Sequence, residues 1–321
     1  MATRTPTYYT GTITGQNGTL ITLLDSILVT GEGWTKTYSA TNKAVYTQAS
    51  GNGFCIRVVD DGSLAAGARE ALVRAGESAT DVDTLVDAFP TTTQLANADC
   101  VWRKSSTADA TTRTYHAVAD GNCLHLLIYF DGVASNGDMY TFGDTEPFYT
   151  GDGYNTVFTC RAAGNVNTNG SCTNFSVTQG LNPSGKTMCM WMARSADGLI
   201  KSDVSLWLLN NQVFGNSGFT DPDYPNTATN KLHMGYYGIM SAYSNTTAVS
   251  QSGSMFRGIV PHILEPLLGS GTGTLANGDT FVDSSYDGTA DSLILLQTEG
   301  GTFSTARKVV MQKAGTWDPG F

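Results

Sequence analysis

Gly31–Gly62 reads GEGWTKTYSATNKAVYTQASGNGFCIRVVDDG, and two alternating runs inside it decide the fold class. In Asn42–Gln48 (NKAVYTQ), Ala44, Tyr46 and Gln48 fall on one face and Val45 and Thr47 on the other, which is the period of a strand. Phe54–Val59 repeats this, setting Phe54, Ile56 and Val58 against Cys55, Arg57 and Val59. Between them lies Ala49–Gly53 (ASGNG), whose two glycines accept positive φ at little steric cost, so the two runs predict a hairpin. Asp60-Asp61-Gly62 closes the unit. Trp34, Tyr38 and Tyr46 carry the large apolar surfaces expected to pin it to a core.

Upstream, Gly18–Thr30 places Leu20, Leu23, Leu24, Ile27 and Leu28 at helical spacing, with Asp25 and Ser26 outside the stripe. A short amphipathic helix packed under its own sheet is expected there. Downstream, the alanine-rich Ser63–Ala75 has a Glu70/Arg74 pair four residues apart and a stop at Gly76, and reads as a second helix. Asp81–Phe89 (DVDTLVDAF), ending at Pro90, reads as a third, with Asp81, Asp83 and Asp87 on its solvated face.

From Cys100 the pattern turns to strands: Cys100–Lys104, Thr112–Val118, Cys123–Phe130, Tyr154–Ala162, Asn174–Thr178, Thr187–Ala193, Val204–Leu209, Leu232–Met240, Met255–Ile259, Ser292–Gln297 and Lys308–Gln312. Asp-Gly and Asn-Gly turns separate many of them. The expected architecture is mainly β, an antiparallel sandwich-like fold with a few short helices in the N-terminal third. It forms one large domain over 1–321, with a helix-hairpin-helix part at about 15–95 and a strand-rich body at about 96–321. Gly164–Gly170 and Gln212–Thr229 are expected as polar surface loops.

Composition narrows the function. Charged residues are only 14% of the chain against about 25% in an average soluble domain, so Ser, Thr, Asn, Gly or partner subunits must cover much of the surface. A net charge of -10 argues against nonspecific nucleic-acid binding, which draws on Lys and Arg. No apolar run reaches the length of a membrane span, and MATRTPTYYT lacks the apolar core of a signal peptide, so no membrane association or secretion is expected. The six cysteines, at 55, 100, 123, 160, 172 and 189, form no C-x-x-C pair and are expected as buried free thiols.

Chemical motifs are few. Gly180–Thr187 (GLNPSGKT) satisfies the P-loop pattern, but no helix has room to follow it, so no nucleotide site is expected. Asn165–Gly170 has the spacing of a calcium loop with amides where carboxylates are needed, and Ser176 at its twelfth position. His116, His125, His233 and His262 show no metal-binding spacing, and there is no G-x-S-x-G elbow. Most aspartates sit at turns rather than as a glycosidase pair. Tyr149–Tyr154 (YTGDGY) and Tyr236-Tyr237 are aromatic patches that suit either a core or a sugar platform.

Several segments together resemble a family of virion structural proteins of tailed bacteriophages. They are GTLITLLDSILVTG (Gly18–Gly31), GWTKTYSATNKAVY (Gly33–Tyr46), FCIRVVDDG (Phe54–Gly62), GAREALVRAGES (Gly67–Ser78), DVDTLVDAFPT (Asp81–Thr91), WRKSSTADATTRTYHAVADG (Trp102–Gly121), FRGIVPHILEPL (Phe256–Leu267) and NGDTF (Asn277–Phe281). The resemblance is strongest over roughly 15–130 and departs over Cys160–Pro225. It implies a non-enzymatic capsid, neck or tail component without cofactor or metal, made in the host cytoplasm. Its expected partners are copies of itself and other virion proteins. Trp34, Tyr38, Tyr46, Phe54 and Trp102 are then the structural and assembly candidates, and the alternative is a tail protein that binds or cleaves carbohydrate.

Overall fold

The computed structural model describes residues 3–91, 100–134, 137–162, 189–194, 198, 204–209, 233–243, 255–267, 276–283, 290–298 and 308–318. In chain order the elements are β1 (Thr7–Ile13), α1 (Thr19–Leu24) continuing as a π-helix (Asp25–Gly31), β2 (Thr35–Ala40), β3 (Lys43–Thr47) and β4 (Cys55–Val59). A 3-10 turn (Gly67–Arg69) leads into β5 (Glu70–Ala79), β6 (Leu85–Phe89), β7 (Cys100–Arg103), β8 (Arg113–Ala119), β9 (Cys123–Ile128) and β10 (Asp138–Asp144). There follow β11 (Glu146–Pro147), β12 (Thr156–Ala162), β13 (Cys189–Met192), β14 (Val204–Leu209), β15 (His233–Tyr243) and β16 (Met255–Leu267). The series ends with β17 (Thr280–Asp283), β18 (Asp291–Gln297) and β19 (Lys308–Ala314).

The chain is mainly β, with antiparallel sheets curled into a half-barrel. The first sheet runs β1-β8-β9-β10-β12-β7-β5-β4-β3-β2, with β13 on β12 and β6 on β5. The second runs β14-β15-β16-β19-β18-β17, with β11 on β16. Three apolar layers follow from this. Leu20, Leu24, Ile27 and Leu28 of the helical segment fill one side of the first sheet, against Tyr46, Ile56, Trp102 and Phe142. Val118, Leu127 and Met139 of the first sheet meet Val260, Ile263 and Met311 of the second. A smaller cluster around Trp317 uses Ile259, Leu264, Leu293 and Val310. Strand β9 is therefore buried on both faces, which is why CLHLLI is nearly continuous in apolar residues.

The hairpin forms as its alternation predicts: β3 and β4 pair antiparallel with Tyr46 opposite Ile56. The helical stripe of Gly18–Thr30 is also realised, and all five of its leucines and isoleucine are buried. Strand β2, which precedes the hairpin and pairs with β3, was not among the expected strands. Nor were β1, β10, β11 and β17.

Two expected helices are strands. Over Ser63–Ala75 the chain makes a short turn and then enters β5, and Asp81–Phe89 becomes a turn followed by β6. Ala71, Val73 and Ala75 alternate into the core, and pairing with β4, from Cys55↔Gly76 to Val59↔Leu72, overrides the helical preference of alanine. Four residues apart on a strand, Glu70 and Arg74 are separated by two strand repeats; Arg74 instead donates to the carbonyl of Pro90. LVDAF is too short to separate the two periods, and its pairing with β5 decides the matter. Asp81, Asp83 and Asp87 are exposed as expected, but on a turn and an edge strand: Asp81 accepts from the Asp83 backbone and Asp83 pairs with Lys43. The expected strand Asn174–Thr178 and the loops Gly164–Gly170 and Gln212–Thr229 lie outside the described residues.

Candidate functional site

Among the described residues, a buried cluster of ionisable side chains lies where the β8–β9 turn meets the second sheet. Asp120-Gly-Asn turns the chain because the Asp120 carboxylate accepts from the backbone N–H of Asn122 and of Cys123, both at 2.7 Å. Gly143 of β10 lies opposite Cys123, and a Cβ at Gly143 would come within 2.3 Å of the Cys123 Cα. Glycine is what lets β10 come this close to the turn.

Two further side chains converge on this carboxylate, and a third holds the backbone carbonyl of the same residue. Arg4 forks onto it, with Nε 2.6 Å from Oδ2 and Nη2 2.9 Å from Oδ1, while Nη1 reaches Glu146 Oε1 at 2.9 Å and the carbonyl of Asp144 at 3.1 Å. His262, on β16 with a left-handed φ of 61°, brings Nε2 to 2.7 Å from Asp120 Oδ2; its Nδ1 is 3.0 Å from Gln312 Oε1. The indole N–H of Trp34 donates to the Asp120 carbonyl at 2.9 Å, so the residue that anchors the hairpin also holds this turn. Beneath it, Cys123 Sγ lies 3.7 Å from His125 Nε2, and His125 Nδ1 lies 2.8 Å from Thr141 Oγ1.

Electrostatics follow from burial and from Arg4. Burial would raise the Asp120 carboxyl, but the Arg4 guanidinium, together with His262, holds it well below the usual carboxylate range. Asp144, a few ångströms away, has no such fork. It accepts from Gln48, from Thr156 and from the side chain and backbone of Asn52, yet burial still lifts its carboxyl above the ordinary value. Burial, followed by the charge of Asp120, drives the Cys123 thiol far up, and burial takes His125 down to about 3. Cys123 is therefore a thiol at neutral pH, and His125, although neutral, is too weak a base to take its proton, so the two do not make an activated nucleophile and base.

Ligand atoms of Asp120, Cys123 and His262 lie within 4.8 Å of one another, which raises the question of a metal. Asp120 already receives five hydrogen bonds, from Arg4 twice, His262, Asn122 and Cys123. A carboxylate offers about four lone-pair sites, so this one is saturated, and a cation would have to displace a bound guanidinium. What the arrangement does chemically is lock three remote segments together. Arg4 was not singled out from the sequence, and nothing in its neighbourhood marks it; Asp120 carried a turn signal only.

The sequence candidates fall elsewhere. Trp34, Tyr46, Phe54 and Trp102 are buried in the layer around the helix, and Tyr38 is half-buried on the edge strand β2. Trp34 packs edge-on against Phe142, and Trp102 stacks on Tyr140 at 5.0 Å while donating to the Thr159 carbonyl. Only Trp34 joins the polar cluster. In the YTGDGY segment Tyr149 is 48% exposed, Tyr154 is covered by the Arg194 guanidinium, and Asp152 is bound in a fork by buried Arg257. The P-loop match and Asn165–Gly170 lie outside the described residues, as do the side chains of Tyr236 and Tyr237. No helix among the described residues is long and apolar enough to cross a membrane. In comparison with known proteins, no family model matches the chain and no curated protein matches it.

Proposed function

We propose that the chain is a non-enzymatic structural subunit of a tailed-phage virion, a capsid, neck or tail component that works by self-association and by contacts with neighbouring virion proteins. The observation that carries this reading is the state of the buried polar cluster around Asp120. Arg4, Asp120, Cys123, His125 and His262 are all buried, and the carboxylate is saturated by protein donors. Such a cluster fixes geometry and leaves no group poised to attack or to move a proton to a substrate. The virion resemblance, strongest over roughly residues 15–130, and the low charge agree with a surface covered by neighbours.

Mass spectrometry of gently dissociated virions, with heads separated from tails, tests this directly. The chain is expected in one of the two fractions, and its absence from both defeats the proposal. The exposed ring of Tyr149 favours a second reading, a carbohydrate-binding or carbohydrate-cleaving tail protein. Incubation with host envelope glycans separates the two: new reducing ends, or retention that Tyr149→Ala abolishes, would replace the structural reading.

A further inference from the structure

Cys100 and Cys160 stand apart from the other described thiols. They lie on β7 and β12, both buried, with their Sγ atoms 2.9 Å apart across 60 residues of chain. That is inside the ordinary contact distance of two sulfurs and about 0.9 Å longer than a disulfide bond. The two strands run antiparallel with Ala162 opposite Cys100 and Arg161 opposite Val101, so Cys160 sits diagonally from Cys100 on the same face of the sheet. Cys55 and Cys123 have no sulfur neighbour of this kind among the described residues; Cys123 meets His125 instead.

The position gives the pair a purpose. In the order of the first sheet, the β12–β7 junction joins the half made of β1, β8, β9, β10 and β12 to the half made of β7, β5, β4, β3 and β2. Side chains already bridge it: the Trp102 indole donates to Thr159, and Arg103 and Arg161 share the Asp138 carboxylate. A covalent bond here would tie the two halves together and close a loop of about 60 residues, which restricts the unfolded chain.

We propose that Cys100 and Cys160 form a disulfide when the folded chain meets a small-molecule disulfide such as oxidised glutathione, and that this bond is a post-assembly staple across the sheet. One cysteine, reached as thiolate through a local opening at the β7–β12 junction, attacks a sulfur of the reagent and expels one equivalent of thiolate. The second cysteine, having lost its proton, attacks the mixed disulfide at the protein sulfur and expels the other equivalent. Two protein thiols are oxidised, one reagent disulfide is reduced to two thiols, and the two protons pass to those leaving thiolates. The chemistry belongs to the folded chain alone; that it takes place after release from a reducing host cytoplasm rests on the virion reading.

The test is made on the purified full chain. It is reduced, freed of reductant, exposed to oxidised glutathione, denatured, alkylated with iodoacetamide and mapped by mass spectrometry. The expected product is 2 Da lighter than the fully reduced chain before alkylation, links the peptides carrying Cys100 and Cys160, and has Cys55 and Cys123 alkylated. Its Tm should rise by roughly 5 °C and return on addition of dithiothreitol. The double variant Cys100→Ala/Cys160→Ala should show no oxidant-dependent shift. Alkylation of both Cys100 and Cys160 after exposure would overturn the proposal. So would a link from Cys160 to Cys189, its register partner on β13. Neither result would bear on whether the chain is found in virions.

Discussion

The β3–β4 hairpin with its helix and the Arg4–Asp120–His262 cluster hold the molecule together by opposite means. In the first, apolar side chains close in sequence find one another: Leu24, Ile27, Tyr46 and Ile56 lie within a few dozen residues and are fully buried. In the second, a guanidinium, a carboxylate and an imidazole meet across 116 and 142 positions of chain, and each would be costly to bury alone. The first tolerates loss by degrees, because each methylene removed costs its share of transfer energy and cavity. The second tolerates loss poorly, because deleting Arg4 or Asp120 removes the buried charge partner of the other.

That contrast can be broken most forcefully at Asp120. Asp120→Ala leaves Arg4 without its fork and exposes two turn N–H groups, and should cost about 5 kcal/mol in urea unfolding. Trp34→Ala attacks both regions at once, since the ring lies in the apolar layer and its N–H holds the Asp120 carbonyl. About 4 kcal/mol is expected, with loss of soluble or assembled protein, and Trp34→Phe should recover most of the packing but not the hydrogen bond. Normal folding and assembly of Trp34→Ala would dissolve the link between the two regions.

A pH series sharpens the electrostatic side. His125 is buried neutral with its folded pKa down at about 3, against about 6.5 for an unfolded histidine. As pH falls below 6.5 the unfolded chain takes up a proton that the folded chain refuses. Stability from this residue is therefore full above that value and declines by about 1.4 kcal/mol per pH unit. Wild type and His125→Gln, compared by urea midpoints from pH 7 to pH 4.5, should converge by roughly 3 kcal/mol toward the acid end. Parallel curves would mean that the ring is protonated in the fold. The smallest effect belongs to the surface: Asp83→Ala, which breaks the exposed pair with Lys43, should change stability by under about 0.5 kcal/mol.

The same contrast explains what could be read in advance. The hairpin and the helix were legible because period and partner both lie within a short window, as with Ala44, Tyr46 and Ile56. Strands β5 and β6 were misread because alanine and a five-residue apolar run fit either period, and the choice is made by β4, not by the run itself. Strand β10, DMYTFGD, hid behind its two terminal aspartates and its glycine. Its burial rests on Arg103 and Arg161 meeting Asp138, and on Gly143 meeting Cys123, which are non-local facts. Asp120 announced a turn, but no spacing rule connects it to Arg4 or His262. Local pattern carries the scaffold, while the polar cluster exists only once the scaffold has been built.

The double burial of β9 has a further consequence, in the time order of synthesis. The layer formed by Val118, Leu127 and Met139 is complete in the chain long before Val260, Ile263 and Met311 have been made. During that interval the first sheet can fold around its helix while presenting a greasy face with no cover. Such a nascent intermediate is prone to aggregate or to recruit a chaperone until β16 and β19 arrive. A chain truncated after β13 should accordingly be recovered in the insoluble fraction, however well its own hairpin and helix are formed.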